Sequence, residues 1–380
     1  MLFPLRKLGW FLIFFTVVAS CATLSLWAGD TDDLTASVAR LVTATVEQEK
    51  IPGMIAGIGD ARGLRAVAAS GVRVWGHEAA MTVDDVVHLG SCTKAMTCVM
   101  LATLVAEGKL DWSTKLVDVL PDLKEKIHPD YHEVTLWQLV THRAGVPANA
   151  ANWWLHRDLP ITERRRRLLE ENLTAPAGER RGAYHYSNLG YMAAGCMAEK
   201  VTGRTWEQLM RARLFEPLKM DTAGFGPPGR PKDTSQPWGH VPRSDGGWLP
   251  RWFDNAEALG PAGTVHCSVA DWAKFLALWL TKEDTTILPR DALDRLLQPA
   301  GEYAGGWTIV ERKWGHGRVL THSGSNTMWY ATVWVAPKTG RSYVAVMNAR
   351  DDRSHAICDR VIAKMIRLDR QLAESTQEMP

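Results

Sequence analysis

The sequence predicts an α+β protein in which one antiparallel sheet is built from both ends of the chain. Two strand-like runs lie near the start, at 54–59 and 64–70, while the middle of the chain is mainly helical. Four more strand-like runs lie near the end, at 305–311, 318–323, 328–336 and 341–348. This order predicts a sheet subdomain of residues 30–90 and 300–370, flanked by helices, with a mainly α-helical insertion of residues 91–299.

The elements follow from local signals taken in chain order. A first helix, capped by Asp30–Thr31, is predicted by an apolar stripe at helical spacing: Leu34, Val38, Leu41, Val42 and Val46. Turn-forming residues join the first two strands at 60–63 and the last two at 337–340. Apolar spacing predicts helices at 91–107, 135–142, 188–202, 205–214, 268–280 and 289–297. A final helix from near Asp351 to about Arg370 would end the domain of residues 30–370, leaving 371–380 as a disordered tail.

Composition and charge limit the classes of function. A chain of 380 residues that is 46% hydrophobic can build one large core. Its 44 basic and 42 acidic residues give a net charge of +2, so the whole chain gives no reason to expect a nucleic-acid partner. The basic cluster Arg164–Arg167 stands between acidic residues on a predicted helix, and we expect it to be a solvated face.

The first 29 residues have the pattern of an export signal. Arg6 and Lys7 precede the apolar run Leu8–Ala19, which is short for a membrane-spanning helix. The segment Val18–Cys21 resembles the lipobox of bacterial lipoproteins, which would make Cys21 the lipidated N-terminus. Ordinary cleavage after Ala22 is the alternative. Either route predicts a mature protein that is periplasmic or anchored to the membrane.

The remaining cysteines and the histidines give no sign of a disulfide framework or a metal site. Five cysteines lie mostly in apolar stretches, where small buried side chains are expected: Cys92, Cys98, Cys196, Cys267 and Cys358. His128 and His132 are four residues apart, but Pro129 between them indicates a loop and not a helix that could present two zinc ligands. We therefore expect no metal and no cofactor.

The first chemical motif is Ser91-Cys-Thr-Lys94, which opens the helix predicted at 91–107. A serine and a lysine three residues apart on a helix share one face. A neutral amine held beside the hydroxyl can remove its proton and make it a nucleophile. Ser91 and Lys94 are therefore candidate catalytic residues.

The second motif is Tyr186-Ser-Asn188, where a loop leads into the helix predicted at 188–202. A tyrosinate near the Lys94 ammonium would have its pKa lowered and could move a proton between Ser91 and a leaving group. The amide of Asn188 can both donate to and accept from a substrate. The alternative interpretation is aromatic packing, with Asn188 serving only as a helix cap.

The third motif is His322-Ser-Gly324, at the end of a strand-like run. A strand edge beside a cleft offers backbone N–H groups, Gly324 would let a substrate approach closely, and His322 would supply a positive or hydrogen-bonding group. His88-Leu-Gly90 has the same pattern. Position favours His322, because it lies at the far end of the chain from the nucleophile.

In this order the three motifs resemble those of the serine β-lactamase and penicillin-binding-protein superfamily. The nearest resemblance is to its class C-like branch of D-Ala-D-Ala carboxypeptidases, D-aminopeptidases and esterases. Four further stretches resemble that branch: 134–145, 176–178, 214–222 and 261–275. The resemblance implies a β-lactamase/transpeptidase-like fold and covers about residues 32–365.

The resemblance also implies a role for each site residue. Ser91 would be acylated, Lys94 would activate it, and Tyr186 would transfer protons. Asn188 would orient the substrate, and His322 would replace the lysine of the K-T-G motif of true β-lactamases. The N–H groups of Ser91 and Ser325 would form the oxyanion hole.

The expected function is therefore that of an extracytoplasmic serine hydrolase, which forms an acyl-enzyme on a small ester, amide or peptide. Esterase, D-Ala-D-Ala carboxypeptidase and weak β-lactamase activities remain open, and the departure from K-T-G argues against efficient cephalosporin hydrolysis. The alternative is a catalytically slow module that binds penicillin or senses cell-wall fragments. Five tryptophans of two predicted cleft loops, 148–159 and 224–259, are expected to line an apolar acyl pocket that favours esters: Trp153, Trp154, Trp238, Trp248 and Trp252.

Overall fold

A six-stranded antiparallel sheet forms the frame of the computed structural model, which describes residues 32–377. The strands are β1 (Gly53–Asp60), β2 (Gly63–Gly71), β8 (Thr308–Arg312), β9 (Gly317–Ser325), β10 (Tyr330–Ala336) and β11 (Arg341–Met347). Their order across the sheet is β2-β1-β11-β10-β9-β8. Met54 of β1 lies opposite Met347 of β11, so the two ends of the chain close one sheet. The predicted α+β architecture is confirmed.

Two terminal helices cover one face of this sheet. Helix α1 spans residues 32–49, and its predicted apolar stripe packs with helix α11 (Ser354–Gln377) over β1 and β11. Side chains of β1 alternate between the two faces of the sheet, as strand geometry requires. Met54 and Ile58 belong to this terminal cluster, whereas Ile55 belongs to the larger core on the other face. The helix α11 continues to Gln377, so the prediction that a disordered tail begins at residue 371 is wrong for 371–377.

The helical insertion packs on the other side of the sheet. Its helices are α2 (Thr93–Ala106), α3 (Leu116–Val119), α4 (Leu136–Val140), α5 (Ile161–Asn172), α6 (Asn188–Thr202), α7 (Trp206–Met210), α8 (Gly260–Gly263), α9 (Val269–Ala277) and α10 (Arg290–Leu296). A π-helical turn, Arg211–Phe215, continues α7. Every residue of α2 from Thr93 to Leu104 is buried, so α2 is the central helix of this layer.

Two small sheets in the middle of the chain have strands too short to show an alternating pattern in the sequence. One joins β3 (Val87–His88), β7 (Val265–Cys267) and β4 (Gly224–Phe225), in the order β3-β7-β4. The other pairs β5 (Gly239–Pro242) with β6 (Trp248–Arg251). Strand β3 of the first sheet leads directly into the turn that holds Ser91.

The expectation that Arg164–Arg167 is a solvated face is wrong for its first two members. Arg164 and Arg165 of α5 are both buried. The guanidinium of Arg165 donates to the carboxylates of Glu199 and Glu207 and to two backbone carbonyls. A run of like charges in sequence does not reveal partners that lie more than thirty residues away.

The five cysteines in the described part of the chain are buried and free, as predicted. Cys21 and the rest of the predicted export signal lie outside the described residues. Among residues 32–377, no helix combines the length and apolar character needed to cross a membrane. Within the same span, no three histidine, cysteine or acidic side chains are grouped so that they could hold a metal ion.

Candidate active site

Ser91 lies on a 3₁₀ turn, Gly90–Cys92, that leads into α2 and presses against the end of β9. Gly90 has a φ of +50°, and a Cβ at that position would lie 2.2 Å from the backbone nitrogen of Ser325. Both facts require glycine there. The backbone of Gly90, directly before Ser91, therefore lies against the backbone of Ser325.

Lys94 projects from the first turn of α2 toward the Ser91 hydroxyl. Its Nζ lies 3.1 Å from Ser91 Oγ, 2.8 Å from Asn188 Oδ1 and 2.7 Å from the carbonyl oxygen of Ala262. Complete burial lowers the pKa of Lys94 to about 7. The two carbonyl-type oxygens can only accept, so they take the two N–H groups of a neutral amine. The lone pair is then left facing the Ser91 hydroxyl, which is the arrangement of a general base.

Tyr186 completes this cluster from the loop before α6. Its hydroxyl donates a hydrogen bond of 2.9 Å to Ser91 Oγ. Burial raises the pKa of Tyr186 above its ordinary value, so the residue stays a neutral phenol. The expectation of a tyrosinate stabilised by a lysine ammonium is wrong, because the lysine is itself buried and readily loses its proton. Ser91 can thus donate to Lys94 while it accepts from Tyr186.

Asn188 is the first residue of α6, but it does not cap the helix. The capping side chain is Ser187, whose hydroxyl accepts from the N–H of Gly190. Asn188 instead uses its oxygen to hold Lys94 and donates from Nδ2 to Asn149 Oδ1 at 2.9 Å. The interpretation of Asn188 as only a cap is therefore wrong, and its amide both orients Lys94 and lines the cleft in front of Ser91.

His322 is buried and does not carry a positive charge. Its Nδ1–H donates to the carbonyl of Ser323, and its Nε2 accepts from the hydroxyl of Tyr303 at 3.1 Å. Burial lowers the pKa of His322 to about 4. The expectation of a cation at this position is wrong, and only its alternative, a neutral hydrogen-bonding group, fits the geometry.

Gly324 has a different role from the one expected. A Cβ at this position would lie 2.0 Å from the carbonyl oxygen of Leu89 and 2.7 Å from the nitrogen of Ser91. The glycine therefore lets β9 approach the nucleophile turn, and the prediction that it makes room for a substrate is wrong. Because of this approach, Ser91 and Ser325, whose N–H groups are the predicted oxyanion hole, line one cleft.

This cleft has a volume of about 520 Å³ and opens in front of Ser91, Asn188 and Ser325. Trp153, Trp154 and Phe253 contribute apolar walls. Of the five tryptophans predicted to line an acyl pocket, Trp153 and Trp154 line this cleft and the other three do not. Trp248 is buried beneath the terminal helices and donates to the carbonyl of Lys50, and Trp238 donates to the carbonyl of Asp233. Trp252 lines a neighbouring groove and not the cleft itself.

His142 is a site residue that the sequence analysis did not single out. It has a φ of +59°, which is unusual for a residue other than glycine. Its Nδ1 accepts from the N–H of Ser187 at 3.0 Å, and its ring lies 4.3 Å from that of Tyr186, centroid to centroid. His142 therefore holds the loop that presents Tyr186. Its segment, 134–145, had been noted only for its resemblance to a family pattern, and no local signal in the sequence reveals the backbone strain.

The fold and this site together define a serine hydrolase of the β-lactamase and penicillin-binding-protein type. A family model described as Beta-lactamase matches residues 38–365, and the chain belongs to that family.

Similar proteins extend this comparison. Penicillin-binding protein 4 of Amycolatopsis lactamdurans is 25% identical over 300 residues, which cover 72% of this chain and 74% of that protein. Lovastatin esterase of Penicillium rubens is 29% identical over 205 residues, which cover 48% of this chain and 51% of the esterase. The structure of D-amino acid amidase from Ochrobactrum anthropi SV3 aligns with a TM-score of 0.70 at 19% identity, covering 91% of this chain and 100% of the amidase.

Proposed function

We propose that this protein is an extracytoplasmic hydrolase that cleaves small esters or amides through an acyl-enzyme at Ser91. The observation that carries the proposal is the position of Ser91 Oγ, 3.1 Å from Lys94 Nζ and 2.9 Å from the hydroxyl of Tyr186. One neighbour is a buried amine whose pKa is about 7, and the other is a phenol that keeps its proton. A base and an acid thus flank one nucleophile.

Acylation follows from these positions. Ser91 Oγ attacks the carbonyl carbon and passes its proton to Lys94 Nζ, while the carbonyl π electrons move to the oxygen that faces the N–H groups of Ser91 and Ser325. Collapse of the intermediate breaks the bond to the leaving group, which takes the proton of Tyr186. Transfer of the proton from the lysine ammonium to the phenolate then restores both groups.

Deacylation uses the same groups on water. Water attacks the acyl carbon and gives a proton to Lys94, and Tyr186 protonates the departing Ser91 Oγ. The lysine ammonium again returns its proton to the phenolate. The site therefore needs no carboxylate base beside the acyl-enzyme.

The walls of the cleft favour esters with an apolar acyl group. Trp153, Trp154 and Phe253 stand beside the nucleophile, and Trp154 and Phe253 are each about half exposed, so an incoming apolar group would bury them. The neutral His322 offers no fixed cation for the free carboxylate of a D-Ala-D-Ala peptide or a β-lactam. The similarity to an esterase and to an amidase agrees with this range of acyl substrates.

Parallel assays on one preparation test this function. We expect p-nitrophenyl esters to be hydrolysed faster than a D-Ala-D-Ala peptide or nitrocefin, with rates that rise with acyl length. Ser91→Ala should abolish turnover and fluorophosphonate labelling. The control is Ser323→Ala. The Ser323 hydroxyl bonds to that of Thr332 on the sheet, so its removal should leave both turnover and labelling intact. Faster turnover of the peptide than of every ester would overturn the ester preference, and labelling without turnover would indicate the slow penicillin-binding module.

The proposed location of the mature protein rests on the predicted export signal alone. We propose lipidation at Cys21, since the residues before it follow the lipobox pattern. Fractionation of cells that express the wild type and Cys21→Ser tests this. The wild type should be found in the membrane fraction. The variant should either appear in a soluble fraction or accumulate as the uncleaved precursor. A wild type found wholly in the soluble periplasm would rule out the anchor.

A further inference from the structure

A hydrogen-bond network links His88, Asp254 and Asn326 beside the nucleophile turn, and Asp254 and Asn326 also line the catalytic cleft. His88 Nε2 lies 2.8 Å from Asp254 Oδ2, and Asn326 Nδ2 donates to Asp254 Oδ1 at 2.7 Å. All three residues are buried. Asp254 comes from the loop between β6 and α8, His88 from β3, and Asn326 from the turn after β9. We call these three residues the Asp254 network.

One arm of the Asp254 network reaches the nucleophile turn. The N–H of Gly90, the residue before Ser91, donates to His88 Nδ1 at 3.1 Å. Because a backbone N–H can only donate, His88 Nδ1 must accept and the ring proton must lie on Nε2, facing the carboxylate. Asp254 therefore fixes the tautomer and orientation of His88, and His88 fixes the peptide that leads into Ser91.

The other arm reaches the second oxyanion-hole residue. Asn326 follows Ser325, and its Oδ1 accepts from the N–H groups of Met328 at 3.1 Å and Trp329 at 3.0 Å. Thr327, which lies between Asn326 and Met328, has a φ of +73°, a conformation that must be held by its surroundings. Asn326 thus shapes the turn that follows Ser325, and Asp254 fixes Asn326.

We propose that the Asp254 network positions the two arms of the oxyanion hole, with Asp254, His88 and Asn326 as positioning residues for acylation. The inference rests on the proposed acyl-enzyme function of Ser91. The two N–H donors, Ser91 and Ser325, belong to segments more than two hundred residues apart. The Asp254 carboxylate binds His88, three residues before Ser91, and Asn326, the residue after Ser325. An oxyanion hole works only when its donors are fixed before the charge develops, so the joint anchor would act on the transition state.

Three variants separate positioning from general packing. Asp254→Asn keeps the shape of the side chain but turns one acceptor into a donor, which faces either His88 Nε2–H or Asn326 Nδ2–H. His88→Phe keeps a ring but removes both hydrogen bonds. His88→Asn retains an acceptor that can take the N–H two residues on, as in an Asx turn, and should recover part of the loss.

The control is Asp369→Asn, at a buried carboxylate far from the cleft. Asp369 Oδ2 accepts from the hydroxyl of Tyr343 at 2.9 Å and joins α11 to β11. This substitution should lower stability but leave kcat unchanged.

The measurements are kcat and KM on the best p-nitrophenyl ester, inhibition by a phenylboronic acid, and the rate of fluorophosphonate labelling. The boronic acid forms a tetrahedral adduct on Ser91 and so depends on the oxyanion hole, whereas KM reports mainly the cleft walls. We expect Asp254→Asn and His88→Phe to lower kcat about 10- to 100-fold, below the loss of about 10²- to 10³-fold for deleting a donor outright. The inhibition constant should weaken by a similar factor, and KM should change less than about threefold.

Three results would overturn the proposal. A higher KM with unchanged kcat would make Asp254 a substrate contact. Unchanged boronate inhibition in both variants would show that the oxyanion hole does not depend on the network, and an equal loss of kcat in Asp369→Asn would show general loosening. If the wild type hydrolyses neither esters nor amides, the proposed function fails, but slower labelling of Ser91 in the variants still tests the positioning.

Discussion

Substituting Asn188 by aspartate should move the pH dependence of the enzyme in a calculable direction. Asn188 Oδ1 lies 2.8 Å from Lys94 Nζ, so Asn188→Asp places a carboxylate of nearly the same shape against the buried amine. An opposite charge at this distance raises the pKa of an amine by about 1–3 units. The pKa of Lys94 would rise from about 7 to roughly 8–10.

The consequence for the rate follows from the fraction of neutral amine. At pH 7 about half of the wild-type molecules have a neutral Lys94, against roughly one in ten to one in a thousand in the variant. Only the neutral amine can take the proton of Ser91, so kcat/KM at pH 7 should fall about 5- to 500-fold. Raising the pH through the new pKa should restore the activity.

The assay is kcat/KM against pH, from pH 5.5 to 10, on one ester with blank-corrected rates. The wild type should lose activity below pH 7, and the acidic limb of Asn188→Asp should lie 1–3 units higher. Asn149→Asp is the matched control, because Asn149 binds the far side of Asn188 and should shift the limb less. A uniform loss of rate with an unmoved acidic limb would refute Lys94 as the base.

Three further substitutions test separate parts of the structure. Tyr186→Phe removes the proton donor to the leaving group, so kcat/KM, which reports acylation, should fall about 10²- to 10⁴-fold on an alkyl ester. The fall should be much smaller on a p-nitrophenyl ester of the same acyl group, whose leaving group needs no proton, and equal losses of kcat/KM would contradict that role. Gly324→Ala forces a Cβ against the nucleophile turn and should cost about 1–3 kcal/mol in urea unfolding, as well as activity, whereas Gly178→Ala, which has open space, should cost neither. Arg165→Met leaves Glu199 and Glu207 without their buried cation and should lower the free energy of unfolding by about 3–5 kcal/mol. The exposed Arg167→Met should lower it by at most about 1 kcal/mol, and similar losses in the two variants would argue against the buried ion pairs.

Elements with a strong local pattern could be predicted from the sequence. The short apolar run of β1 indicates a strand, and the apolar stripe of α1 specifies a helix and the face it buries. The spacing of Ser91 and Lys94 was sufficient to place an amine beside a hydroxyl, because both lie within one helical turn.

Features that depend on distant segments could not be predicted in this way. The protonation of Tyr186 follows from burial that only the assembled site creates, and the crowding at Gly324 comes from a turn more than two hundred residues away. Trp248 was assigned to the cleft because of its loop, but it packs against the terminal helices. His88 has the same three-letter pattern as the third motif, and its link to Asp254 joins positions 166 residues apart.

The pairing of β1 with β11 has a consequence for the order of events during biosynthesis. Met54 of β1 pairs with Met347 of β11, so this pair of strands cannot form until nearly the whole chain has left the ribosome. Such long-range pairing slows the closing step, since the ends must meet before their contacts repay the lost entropy. A chain cut before β11 would leave β1 paired with β2 alone, separated from the rest of the sheet.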